Sequence, residues 1–329
     1  MRIAVIGATG LAGGELLKAL AQRDFPVDEL IPYATESSSG QLVKFAGRSL
    51  IVTSLGYSNL IPCDFAFFCA GDDISRKWAP EFVKNGAVVI DKSNAFRLDP
   101  NVPLVVPEVN HADALNHQGI IANPNCSTIQ MVLPLYPLHN IYKLKSVIVT
   151  SFQSVSGAGK DALAEYESQL SGGLAPPAVL PRRIAGNCIP QIGGFTDFGE
   201  TTEEAKFRYE SRKIMHIKDL KVSAAAVRVP VKIGHSLSVH AAFEKELIYD
   251  DIVEVLSNAP GVITFAEQDK YPTPLETAGK DFVFVGRLRI TPDFPRSLNM
   301  WITADNLRKG AATNAVQIAE TVLNFQKAI

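Results

Sequence analysis

Apolar residues in the first third of the chain fall into short continuous runs, each ended by a turn residue. "RIAVIG" (2–7) is closed by a glycine, and "ELIPYAT", "DFAFFCAG", "AVVIDKS", "LVVPEV" and "GIIANP" follow the same plan. Continuous runs of this length are expected of parallel strands buried on both faces. Helical patterns lie between them: "LAGGELLKALAQRD" has leucines at 16, 17 and 20, and "ISRKWAPEFVKNG" ends in an Asn-Gly stop. Strands alternating with crossover helices predict a Rossmann-like, doubly wound parallel sheet, whose ligands bind beyond the carboxyl ends of the strands.

After about residue 145 the pattern changes. "LKSVIVTSFQSV", "KVSAAAVRVPV" and "SLSVHAAFEKELI" are longer and rich in β-branched residues. They predict a second, α+β domain with a mainly antiparallel sheet. "GGLAPPAVLPRRIAGN" (172–187) reads as a loop. The last helix, in "GAATNAVQIAETVLNFQKAI", has apolar residues at 315, 316, 319, 322, 323 and 325.

Length and charge narrow the partner class. At 329 residues two domains are expected, and a formal net charge of −2 with scattered Lys and Arg gives no footprint for nucleic acid or an anionic membrane. A small-molecule substrate is therefore expected. "MRIAVIGATG" has neither a secretory core nor a membrane span, which points to the cytoplasm. Four cysteines without CxxC or His/Cys ligand spacing predict free thiols and no metal site.

Three short motifs carry candidate chemistry. "GATGLAG" places Gly7, Gly10 and Gly13 three apart between the first strand and the first helix. Such a turn can bring backbone N–H groups against a pyrophosphate, or simply pack helix on strand. "ATESSSG" ends the second strand, where cofactor selectivity is set, and offers Thr35, Glu36, Ser37 and Ser38 without an arginine. "NPNCST" (123–128) follows the last strand of the first domain and precedes "STIQMVL", a helix opening. A cysteine can be a small buried hydrophobe. At a helix N-terminus, however, the dipole favours the nucleophilic thiolate. Pro134 and Pro137 predict that this helix kinks or stops early.

A nucleophile needs a proton-transfer partner. His111, His117, His139 and His216 stand in polar or loop-like contexts, and His240 lies inside a strand. His235 follows Gly234 beyond a strand interrupted by Pro230 and can be aimed at a site. "TTEEAKFRYESRKI" reads as a helix with a Thr201/Glu204 capping box. Its Glu203 and Lys206 share one face, as ligands or as an exposed ion pair. Arg228, in an apolar strand, requires an anion, either a ligand or an internal carboxylate.

Taken with "VPLVVPEVN" (102–110), "FQSVSGAG" (152–159), "RVPVKIGH" (228–235) and "DNLRKGAA" (305–312), these motifs make the chain resemble the aspartate-semialdehyde dehydrogenases over nearly its full length. The resemblance implies reversible, NADPH-dependent reductive dephosphorylation of L-aspartyl-4-phosphate to L-aspartate-4-semialdehyde through a cysteine thioester. That step belongs to the biosynthesis of lysine, threonine, methionine and diaminopimelate. It also implies Cys126 as nucleophile, His235 as general acid/base and Gln153 as the residue orienting the substrate. Substrate ligands would be Arg228 for the α-carboxylate, Glu203 for the α-amino group, Lys206 and Arg97 for phosphate, and Asn125. Cofactor contacts would be Gly7, Thr9, Gly10, Leu11, Ala12, Thr35, Ser37, Ser38, Ser156, Gly157 and Asn306. NADP is the implied cofactor, with NAD the alternative because Ser37, beside Glu36, stands where NADPH-using members commonly have an arginine. The implied domains are 1–127 with 307–329, for the dinucleotide, and 128–306, for catalysis and assembly as a homodimer or homotetramer. The alternatives are an N-acetyl-glutamyl-phosphate reductase, whose Gly-Cys-Tyr segment differs from Asn125-Cys126-Ser127, and an inactive paralogue, which would lack Cys126 or His235.

Overall fold

The run RIAVI forms β1 (Arg2–Ile6), buried at every position after Arg2. In the computed structural model, which describes residues 1–328, the chain divides into two compact units: 1–125 with the segment from Ala311, and Cys126–Gly310. The limits differ slightly from those expected. Cys126 and Ser127 join the second unit because they open a helix that runs to Tyr142. Residues 307–310 stay with it because Arg308 pairs with Asp281 at 2.9 Å and the Gly310 N–H donates to the Asp305 carbonyl.

In the first unit β2 (Glu29–Ala34) pairs with β1, a hairpin of β3 (Leu42–Phe45) and β4 (Arg48–Ile51) stands apart, and β5 (Thr53–Ser54), β6 (Phe65–Phe68), β7 (Val88–Asp91) and β8 (Ile120–Ala122) complete the sheet. Its order is β5-β2-β1-β6-β7-β8, and every pairing is parallel. The chain turns to opposite sides of β1, so the switch point lies beyond the carboxyl ends of β1 and β6. Helices α1 (Leu11–Gln22) and α2 (Asp72–Lys84) are the crossovers. "LVVPEV" is not a strand. Leu104 makes a single bridge to Ala122, and Pro107 then opens the short α3 (Pro107–Asn110), since a proline suits the first helical position but not a ladder.

The C-terminal helix (Thr313–Ala328) returns to this unit. Ala315, Val316, Ala319, Val322 and Leu323 pack with Ile3, Val5, Leu16 and Leu20 in one core. Phe325, placed by its spacing on the same stripe, is 46% exposed and, among the described residues, lies beyond the core cluster, whose last member is Leu323.

The second unit opens with α4 (Cys126–Tyr142) and contains β9 (Leu144–Gln153), β10 (Lys221–Arg228), β11 (His235–Phe243), β12 (Val262–Thr264), β13 (Val283–Ile290) and β14 (Ser297–Ala304). Sheet order is β10-β9-β11-β14-β13-β12, with the four middle strands antiparallel and the two outer pairs parallel. Helices α5 (Lys160–Leu170), α6 (Thr202–Met215), α7 (Tyr249–Ser257) and α8 (Pro274–Thr277) accompany it. Contrary to expectation, α4 continues through Pro134 and Pro137 for 17 residues. Each proline removes one backbone hydrogen bond. The helix is nonetheless buried along most of its length and packs on β9, β11, β13, β14, α6 and α7, so tertiary contacts override the local breakers.

The 172–187 segment is irregular, as its Pro and Gly content requires, but it is tied to α5. The Glu165 carboxylate accepts the Ala178 and Val179 N–H groups, and the Gln169 side-chain Oε1 accepts those of Ile184 and Ala185.

Candidate active site

Cys126 is the first residue of α4 and is half-buried. A side chain at Gly310 would sit 2.9 Å from its Cβ, so only glycine leaves this position open. The other thiols differ in kind. Burial pushes Cys63 up to about 12 and raises Cys69, which makes both poor nucleophiles at neutral pH, while Cys188 is exposed.

His235 is the first residue of β11, opposite Ala304 of β14, and is wholly buried. Gly234 before it has φ +97°, a left-handed turn that aims the ring. The Ser154 backbone N–H donates to His235 Nδ1 at 3.0 Å, and the Ser154 hydroxyl lies 3.1 Å from the same nitrogen. Nε2 has no hydrogen-bond partner among the described residues. Burial, seconded by the Arg228 charge, pushes the imidazole down to about 3, so it is neutral at physiological pH. Gly157 lies against this ring. A Cβ there would meet Arg228 Nη1 at 2.9 Å, His235 Cε1 at 3.0 Å and His235 Nε2 at 3.1 Å.

Arg228 ends β10 directly beside Gln153 at the end of β9. Its Nη1 donates to the Ser154 carbonyl at 2.7 Å. Burial lowers its pKa, opposed by the charges of Glu203 and Cys126, so all three share one electrostatic environment. The Gln153 amide donates to Glu203 Oε1 at 3.1 Å and to the Ser151 hydroxyl at 3.2 Å. Lys206 Nζ donates to Glu203 Oε2 at 2.9 Å. The exposed-pair reading of Glu203 and Lys206 therefore fails: their side chains are 7% and 24% exposed, because the Thr201/Glu204 capping box starts α6 with its first turn turned inward.

The other half of the predicted set lies in the first unit. Arg97 is 7% exposed and spreads its guanidinium over the Asn123 carbonyl, Asn94 Oδ1 and the Lys92 carbonyl, bracing the ends of β7 and β8. Asn125 is buried just before α4. In the glycine turn the two readings separate by position. A Cβ at Gly13 would strike the Gly7 carbonyl at 2.2 Å, and one at Gly7 (φ +84°) the Cys69 carbonyl at 2.9 Å, so these two pack helix on turn and turn on β6. Gly10, Thr9, Leu11 and Ala12 are left at least partly accessible. Gly10 caps α1 with no side-chain hydrogen bond and no acidic residue in the first turn, so the helix start suits an anionic diphosphate. Thr35, Glu36 and Ser37 are exposed, with the Thr35 and Ser37 hydroxyls 3.0 Å apart and Ser38 half-buried beside them.

A semialdehyde dehydrogenase NAD-binding domain model matches residues 2–117, and a semialdehyde dehydrogenase dimerisation domain model matches 135–309. The aspartate-semialdehyde dehydrogenase of Aquifex aeolicus is 49% identical, with 98% of each chain covered, and that of Bacillus subtilis is 45% identical, with 98% of this chain and 97% of the relative covered. The crystal structure of Vibrio cholerae aspartate semialdehyde dehydrogenase II complexed with ASA superposes with a TM-score of 0.95 at 40% identity, covering 98% of each chain. The chain belongs to the aspartate-semialdehyde dehydrogenase family. It is thus an oxidoreductase with a nicotinamide-cofactor-binding domain and a domain of the family's dimerisation type.

Within the second unit, hydrogen bonds join Gln153, Glu203 and Lys206, and the Arg228 charge is coupled to Glu203 and Cys126 and acts on His235. Ser156 and Asn306 do not lie on the surface. The Asn306 Oδ1 accepts the Gly234 N–H at 2.9 Å and the hydroxyls of Ser154 and Ser156 at 3.0 and 3.2 Å. Ser154 escaped the sequence reading. Its only signal is a second serine two residues before Ser156 in "FQSVSG".

Proposed function

We propose that Cys126 and His235 carry out the family reaction on an aspartyl acyl phosphate. The Cys126 thiol gives its proton to His235 Nε2 and its sulfur attacks the acyl carbon; a C–S bond forms, the bond to the phosphate oxygen breaks, and phosphate leaves. The thioester is more electrophilic than a carboxylate, and a nicotinamide cofactor held by the first unit would supply the hydride that reduces it. The oxyanion left on the former acyl carbon takes that proton back from His235 Nε2 to give the hemithioacetal, whose hydroxyl proton passes to the Cys126 sulfur as the C–S bond breaks and the semialdehyde leaves. In the reverse direction the same nitrogen receives the hydroxyl proton. The single observation carrying this reading is the wholly buried, unpartnered Nε2 beside Gly157 and Arg228, in the same unit as a thiol opening a helix.

The charges around it suit a zwitterionic, phosphorylated amino acid. Arg228 would take the α-carboxylate, Glu203 the α-amino group, Lys206 and Arg97 the phosphate, with Gln153 and Asn125 orienting the acyl group. Gly7, Thr9, Gly10, Leu11 and Ala12 would hold the cofactor diphosphate, and Ser156, Gly157 and Asn306 would complete the cofactor contacts. NADP is the cofactor we propose. Thr35, Ser37 and Ser38 can donate to a 2′-phosphate, and the exposure of Glu36 lets its carboxylate turn to water. The product would feed synthesis of the aspartate-derived amino acids by a cytoplasmic homodimer or homotetramer, a compartment that fits four free thiols.

The test is a spectrophotometric assay with aspartate semialdehyde and phosphate. Turnover should vanish in Cys126→Ala with the fold retained, and kcat/KM should be higher with NADP than with NAD. An active Cys126→Ala enzyme overturns the thioester, and a preference for NAD overturns the cofactor assignment.

A further inference from the structure

The hydrogen bonds at Nδ1 constrain which proton the imidazole carries. A backbone N–H can only donate, so the 3.0 Å contact from Ser154 N requires Nδ1 to be bare. The neutral ring then carries its proton on Nε2. In that form Nε2 cannot accept a proton from a hemithioacetal hydroxyl. A base at Nε2 needs the other tautomer, with the proton on Nδ1 and an acceptor for it. The imidazolium, which donates from Nε2, needs the same acceptor.

That acceptor is the Ser154 hydroxyl, 3.1 Å from Nδ1. Its own proton is placed elsewhere: it points to Asn306 Oδ1 at 3.0 Å, leaving the oxygen lone pairs for Nδ1–H. The Asn306 amide is fixed in this sense because its Oδ1 also accepts the Gly234 N–H at 2.9 Å, while its Nδ2 donates to the Ser156 hydroxyl at 3.0 Å. Ser154 is wholly buried and Asn306 is 3% exposed, so water does not compete strongly for these groups. The charged and titratable groups acting on His235 are Arg228 from β10 and Glu203 from α6, with the Cys126 thiol at the start of α4 coupled to Arg228.

We propose that Ser154 is the positioning residue that sets the tautomer of His235. Its N–H holds the resting Nε2–H form, and its hydroxyl receives Nδ1–H in the forms that exchange a proton with substrate. In the reducing direction the imidazolium, formed when the Nδ1–H tautomer takes the Cys126 thiol proton at Nε2, gives that proton to the oxyanion of the reduced adduct and is left as the neutral Nδ1–H tautomer, still bonded to Ser154 Oγ. In the oxidising direction that tautomer takes the hydroxyl proton at Nε2 and becomes imidazolium again. The inference rests on the assignment of His235 as the acid/base.

Ser154→Ala keeps the N–H and removes only the acceptor. The loss of one hydrogen bond to a charged donor is expected to lower kcat about tenfold in both directions. KM for aspartate semialdehyde should stay within about twofold, because Ser154 makes no substrate contact in this reading. The imidazolium loses its acceptor, so the pH limb belonging to His235 should move down by about one unit. Ser154→Thr, which retains a hydroxyl, should recover most of the rate. Histidine ¹⁵N shifts of the resting wild-type enzyme should show the proton of His235 on Nε2, a measurement independent of whether any variant folds. Wild-type kcat and pH profile in Ser154→Ala, or a resting Nδ1–H ring, would overturn the proposal. Retained turnover in His235→Ala would instead overturn the acid/base assignment itself.

Discussion

Gly157→Ala isolates the geometry of the candidate site from its chemistry. The residue lies in the short 3-10 turn Val155–Ala158 and is absent from the left-handed glycines, so alanine fits the backbone. Any effect must come from the added carbon. It would stand 2.9 Å from Arg228 Nη1 and 3.0 and 3.1 Å from His235 Cε1 and Nε2, where ordinary contact is 3.4–4 Å. The neighbours must therefore give by about 0.4 Å or more. Neither does so easily. The His235 ring is wholly buried with Nδ1 held by Ser154, and Arg228 is 5% exposed with Nη1 held by the Ser154 carbonyl at 2.7 Å. Overpacking of this kind costs about 1–3 kcal/mol, a fall of a few degrees in Tm. A misplacement near 1 Å can cost about a hundredfold in rate, so a shift of roughly half that should lower kcat for aspartate semialdehyde oxidation by about tenfold or more. Steady-state kinetics with both substrates varied, together with a thermal melt, reads each part. If kcat is unchanged and only the cofactor KM rises, Gly157 is a cofactor contact alone and the argued pressure on His235 is wrong.

Two further outcomes test the same unit. His235 ordinarily titrates near 6.5 but near 3 when folded, so below pH 6.5 the unfolded chain binds a proton that the folded one refuses, and stability falls with acidification across that window. Between pH 6.5 and pH 5 this amounts to about 2 kcal/mol. Denaturant melts at pH 7.5 and 5 should show His235→Asn losing less stability than wild type by about that amount, and equal losses would show that the folded ring is not held neutral. Thr201→Ala removes one arm of the capping box that starts α6, where the Glu204 N–H donates to Thr201 Oγ1 and the Thr201 N–H to Glu204 Oε2. It should cost about 1 kcal/mol, with a raised KM for aspartate semialdehyde because Glu203 and Lys206 ride on that turn; a stable variant with normal KM would uncouple the cap from the site.

The parallel sheet was legible because burial on both faces leaves continuous apolar runs, and β1, β2, β6, β7 and β8 fall where those runs do. The same rule misread "LVVPEV", which is buried without being a strand: Val105 and Val106 pack in the core while Asn110 bonds the Val106 N–H and the Leu104 carbonyl in place of a ladder. Pro134 and Pro137 misled in the opposite sense, since propensity speaks for the isolated segment and α4 is held by six neighbouring elements. In the site, residue identities were legible and burial was not. Glu203 and Lys206 have the spacing of a surface pair, and only the fold of α6 onto the end of β10 turns them inward. The contact between Ser154 and His235 joins residues 81 positions apart and leaves no mark in either neighbourhood.

The satisfaction of buried polar groups gives the site its direction. Gln153, Ser154, Ser156, Glu203, Arg228 and Asn306 are each no more than 6% exposed, and each has hydrogen-bond partners within the second unit. An unpartnered buried polar atom costs about 1–3 kcal/mol, so a chain selected for stability alone would pair His235 Nε2 as well. It pairs Nδ1 instead, through two groups of one serine, and leaves Nε2 open beside Gly157, whose missing side chain keeps the space clear. Rigid support on one nitrogen and vacancy at the other is what a proton-transfer group requires, because the ring must hold its aim while the bond that matters is made only to substrate. An open Nε2 on a ring held at Nδ1 is thus the arrangement that the proposed proton transfer would use.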